Sequence, residues 1–222
     1  MNETVQKIVA DYCRAVDSNE NLEERWKFVH QLAEMGDAAV DPLAAILLIV
    51  EKPMEEFTSI DWRKRQCAAY ALILIYTPRS IQEIIKAVEI YPDWSDVDWD
   101  AEFTRIAQNE FSIDMFTTGL ENSQDWYARI TFVLAINFGI NHYKHKPSER
   151  TLQTLVDHMQ NQSRGEAIRM HALHTLKRYF LWSNDAAILG MIKGQVSDPI
   201  IGEEAKNCIR EIEKARKTKK SG

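Results

Sequence analysis

At 222 residues the chain suffices for one substantial domain or a short array of repeats, and 45% hydrophobic residues place it with folded rather than disordered proteins. Only 8 glycines and 6 prolines argue against an all-β fold, which needs many tight turns. A net charge of −6 disfavours a groove that tracks nucleic-acid phosphates.

Three cysteines, Cys13, Cys67 and Cys208, are odd in number and far apart, so the sequence predicts neither a disulfide framework nor a zinc site, and a reducing, cytoplasmic compartment. The opening MNETVQK has no basic stretch followed by an apolar one, so no signal peptide is expected. The most apolar runs, 42–50 and 68–76, are about half a membrane span.

In chain order, residues 2–16 carry Val5, Ile8, Val9, Tyr12 and Val16 on one side, which predicts an N-terminal capping helix within 1–21. Residues 22–51 read as two short helices meeting at a turn. Trp26, Phe28, Val29, Leu32 and Met35 stripe the first, and Val40, Leu43, Ile46, Leu47 and Val50 the second. Gly36 closes one helix and Asp37 is placed to cap the next. Pro42 falls in a first turn, where its missing N–H costs nothing.

The run Arg25-x-x-Phe28-x-x-Gln31-Leu32-x-x-Met35-Gly36-Asp37-x-Ala39-Val40-Asp41-Pro42-Leu43 resembles a HEAT-type repeat. In that family an Arg opens helix A, a Gly-Asp turn follows, and helix B starts Val-x-Pro-Leu. The pattern returns at Arg65-x-x-Ala68-x-x-Ala71-Leu72 and at Arg169-x-x-Ala172-x-x-Thr175-Leu176. Asp61-Trp62-x-x-Arg65 reappears as Asp125-Trp126-x-x-Arg129 after 64 residues, and Arg25 to Arg65 and Arg129 to Arg169 are each 40 apart. The resemblance implies a right-handed α-solenoid of about five helix pairs, at 22–51, 59–90, 95–122, 124–161 and 164–194. A C-terminal capping helix, 198–218, carries a basic tail.

The resemblance also implies a structural role for the Arg ladder, Arg25, Arg65, Arg129 and Arg169: a guanidinium bonding acids or carbonyls in the turns between repeats. Asp61 and Asp125, four residues before Arg65 and Arg129, are placed for local pairing.

The least regular stretch, 89–102, holds six acidic residues, two Trp and no base. Trp94, Asp96, Asp98, Trp99 and Asp100 are the predicted partner-binding residues, a protruding acidic–aromatic loop with Trp as anchor. An EF-hand reading of Asp96-x-Asp98-x-Asp100 fails because Ala101 and Ala107 replace the Gly and Glu it needs. His142-x-x-His145 and His171-x-x-His174 are metal-like pairs without an acidic or Cys third ligand at a matching spacing, so neither a metal nor a cofactor is expected.

No Gly-rich phosphate loop, nucleophile elbow or zinc-protease motif is present. The expected function is therefore a non-catalytic protein–protein scaffold that binds a protein partner on the helix-B face and the acidic–aromatic loop. It is expected to bind neither nucleic acid nor membrane. Two alternatives share the architecture: a HEAT-like enzyme, of the alkyl-base DNA glycosylase or bilin lyase kind, and an immunity protein masking a basic partner.

Overall fold

The computed structural model describes residues 3–18, 22–48, 56–90 and 99–220, and these form helices without any strand. None of the helices is long and apolar enough to cross a membrane. The chain divides into two compact units, 1–102 and 103–222.

In the first unit α1 (Glu3–Asp17) lies on α2 (Leu22–Glu34) and α4 (Ser59–Ile75), while α3 (Asp37–Leu47) and α5 (Pro78–Ile90) form a second layer against α4. The turn from α2 to α3 puts Gly36 at φ +59°, a conformation that costs glycine least. Asp37 does not cap α3 as expected. Gly36 is the N-cap residue, and the Asp37 carboxylate instead accepts from Thr77 Oγ1 at 2.8 Å, tying the α2–α3 turn to the start of α5.

α4 begins with a capping box: Asp61 N–H donates to Thr58 Oγ1, and Thr58 N–H to the Asp61 carboxylate at 2.9 Å. Its Ala68, Ala69 and Ala71 are fully buried, which lets neighbouring helices approach closely. Tyr76, left-handed at φ 59°, ends the helix, and Pro78 opens α5. Tyr12 O–H donates to Gln66 Oε1 at 3.1 Å, and an Arg63–Asp17 ion pair also joins α1 to α4.

The second unit begins within α6 (Trp99–Ile106). It continues through α7 (Glu110–Asn122), α8 (Trp126–Asn137), a π-helical turn (Phe138–His142), α9 (Glu149–Gln160), α10 (Glu166–Ser183), α11 (Ala186–Gly194) and α12 (Gly202–Lys220). α8, α10 and α12 follow one another in one layer; α7 and α9 pack together in the other, and α11 sits against α10 and α12. Phe103, Phe116 and Phe132 meet at ring-centroid distances of 5.0, 5.8 and 6.5 Å and centre the core. Burying each contributes roughly 1.5–3 kcal/mol.

The α7–α9 seam is polar. Thr117 and Thr151 hydroxyls share a buried hydrogen bond of 2.9 Å; Ser148 Oγ donates to Asp114 at 2.7 Å, and Thr154 Oγ1 to Glu121 at 2.7 Å. These residues recur at three- and four-residue steps, so they line facing helix stripes and fix the register of the pair.

Candidate functional site

The strongest candidate surface begins at the N-terminus of α8. Asp125 is the N-cap, and its carboxylate accepts from Tyr127 N–H at 2.8 Å and Ala128 N–H at 3.0 Å. A carboxylate in that position faces the first free N–H groups of the helix, so it caps rather than pairs with Arg129. The cap fixes Trp126 as the first helical residue, 62% exposed and the most exposed large hydrophobic side chain among the described residues. The Tyr127 ring meets it edge-on at 5.9 Å.

One turn further on, Arg129 is buried. Its Nε donates to Ser123 O at 2.7 Å and its terminal nitrogen to Gln124 Oε1 at 3.2 Å. Two cationic or titratable groups face it from other elements. Arg164, half-buried in the turn between α9 and α10, has a buried Nε with no hydrogen bond. His158, in the last turn of α9, is 5% exposed, and its Nδ1 is likewise unbonded.

The charges act on one another. Burial lowers the Arg129 pKa, and the Arg164 charge lowers it further against the opposing pull of Asp125. Burial and then the charges of Arg164 and Arg129 bring His158 down to about 4, so its imidazole is neutral at neutral pH. On the α7–α9 side, the hydrogen bond from Arg150 holds the Glu121 carboxyl below its ordinary pKa. The site is thus a solvent-facing Trp one turn before a buried Arg129 whose repulsion from half-buried Arg164 is only partly offset.

The Arg ladder splits by environment. Arg169 is buried; its Nε donates to Met159 O at 2.9 Å and its terminal nitrogen forms an ion pair with Asp198, joining the end of α9 to the turn before α12. That hydrogen bond, with those from Ile201 and Ile200 N–H, holds the Asp198 carboxyl far below the carboxylate range. Arg65, also buried, lies 5.1 Å from the Phe57 ring centre and 5.6 Å from that of Trp62. Arg25 is half-buried and, with Tyr12, Trp26, Val29, Gln66 and Tyr70, lines a cavity of about 280 Å³ in the first unit.

The acidic–aromatic expectation changes. Trp94, Asp96 and Asp98 lie outside the described residues, as does the Asp100 side chain. Trp99 is 1% exposed and opens α6, with Phe103 and Ile106 buried at the next two inward positions. It is therefore a core residue and not an exposed anchor.

Of the histidine pairs, His145 Nε2 bonds Gln108 O at 2.7 Å. His174 meets Glu204 and Cys208 of α12, two potential ligands that local spacing did not reveal. His158 does not stand out in the sequence, and Trp126 enters it only with Asp125, Arg129 and Arg169, as the residue types that the glycosylase-like alternative would use. The Asp125 cap before Trp126 was the available signal, because it assigns Trp126 to the first turn, where a side chain has no preceding turn to pack on. No protein-family model, no curated protein and no solved structure matches the chain.

Proposed function

We propose that the chain is a non-catalytic interaction protein built of HEAT-like helix pairs, and that the surface at the start of α8 takes an acidic segment of a protein partner. The observation that carries this reading is the 62% exposure of Trp126 on a capped helix start, one turn before Arg129, on which the Arg164 charge acts. Exposed Trp is costly in water and is enriched, with Arg, among the residues that dominate protein interfaces. Because Asp125 and the helix backbone hold Trp126 in place, its ordering cost on binding is small. The packing of α8 on α10 and of α7 on α9 in the second unit is consistent with stacked helix pairs.

The test is quantitative binding to a partner recovered with the wild-type chain. Trp126→Ala is expected to weaken the complex at least about 30-fold, the size of a hot-spot loss of about 2 kcal/mol. Arg164→Glu is expected to weaken it further in low salt than in high salt. Wild-type affinity in both folded variants overturns the assignment of this surface.

A further inference from the structure

We propose that His174, Glu204 and Cys208 form a binding site for a divalent cation of borderline softness, with zinc the best match. His174 comes from α10, and Glu204 and Cys208 stand one turn apart on α12, so an i,i+4 pair of one helix faces a single ligand of another. The three ligand atoms lie within 4.8 Å of one another. His174 Nε2 is 2.7 Å from Glu204 Oε1, and Cys208 Sγ is 3.9 Å from the same oxygen.

Those separations come within about 1.3 Å of a tetrahedral ion. With metal bonds of about 2.0–2.3 Å to nitrogen, oxygen and sulfur, neighbouring ligand atoms stand roughly 3.3–3.7 Å apart. The His–Glu pair must open by less than about 1 Å, the Cys–Glu pair close by a few tenths, and the His–Cys pair, within 4.8 Å, close by up to about 1.3 Å. The sulfur position favours the metal reading over a plain ion pair. At 3.9 Å the thiol makes at best a weak hydrogen bond to the carboxylate, yet it is aimed at the same point as the imidazole.

The surroundings supply orientation. Asn207 Nδ2 donates to Glu204 Oε2 at 3.0 Å, fixing the carboxylate and leaving Oε1 for the shared point. Lys177, whose charge acts on Glu204 and Cys208, is paired with Glu211 at 2.7 Å. The side chains of His174 and Glu204 are 36% and 26% exposed, while Cys208 is buried, so an ion enters from solvent and meets the sulfur at the core side. Three protein ligands leave the fourth position to water. Binding releases the thiol proton of Cys208 to solvent and displaces the proton between His174 Nε2 and Glu204 Oε1 to Nδ1 or solvent, so that the metal meets a thiolate, a bare Nε2 and an ionised Glu204.

The experiment titrates the 222-residue chain with Co²⁺ and follows the thiolate-to-metal charge-transfer absorption, then displaces Co²⁺ with Zn²⁺. One equivalent is expected to give the band, and Zn²⁺ to abolish it. Cys208→Ser is expected to remove the band, and His174→Ala and Glu204→Gln to weaken affinity by about tenfold or more. The last two alter partly exposed side chains and keep Cys208, so they stand even if the cysteine variant fails to fold. Absence of a band in the wild type, or unchanged binding in folded His174→Ala and Glu204→Gln, overturns the site; so does a band that survives Cys208→Ser, since Cys13 or Cys67 then supplies the sulfur.

Discussion

At the scale of single residues, burial decides which polar groups hold the fold and which remain available. Arg169 has Asp198 as a direct counter-ion, whereas Arg129 hydrogen-bonds only neutral oxygens, and the pull of the Asp125 carboxylate on it is opposed by Arg164. His158 records that imbalance. Its pKa of about 4 lies below the ordinary 6.5, so the unfolded chain takes up a proton through a range in which the folded chain refuses one. Stability from this group is complete above about pH 6.5 and is lost as pH falls through 4, by about 3 kcal/mol in all. Urea unfolding between pH 7 and pH 4.5 should therefore lose less stability in His158→Gln than in the wild type. Equal losses in the two proteins would show that His158 titrates normally in the folded state.

At the scale of elements, turn chemistry sets how the helices meet. The π-helical turn after α8 brings Gly139 against α7, where an added Cβ would stand 2.9 Å from Ile113 Cγ1 and 3.0 Å from Cδ1. Gly139→Val is expected to cost about 1–3 kcal/mol through overpacking. Gly190, exposed within α11 with nothing near its missing Cβ, is the contrasting case, and Gly190→Ala should gain about 0.5–1 kcal/mol. Denaturant midpoints of the two variants should move in opposite directions.

The same elements show what was legible in the sequence. Gly36, Thr77-Pro78 and Ser148 marked helix ends that appear within a residue or two of the expected places, because glycine, proline and capping side chains act locally. The π turn and the Thr117–Thr151 seam were not legible, since both depend on which helix arrives opposite. Trp99 was misread as a loop anchor because its acidic neighbours masked the 99, 103, 106 stripe. Glu204 and Cys208 join His174 across thirty or more residues, a distance at which spacing carries no signal.

At the scale of the whole molecule, the division at 102/103 implies two regions that each have a core of their own. In the second, the Phe103–Phe116–Phe132 cluster brings together α6, α7 and α8, so its loss is felt by every helix that packs on them. Phe132 is fully buried and touches both other rings. Phe132→Ala removes that contact and leaves a cavity, at a cost of about 3–5 kcal/mol. Helical arrays distribute such a loss mainly to adjoining helices, because each element is stabilised by its neighbours. Native-state hydrogen exchange should thus show protection falling across 103–160 in Phe132→Ala, while the amides of α3 and α4, in the first unit, keep wild-type protection. A uniform fall over both regions would mean that the chain unfolds as one cooperative body and that the two units have no separate stability.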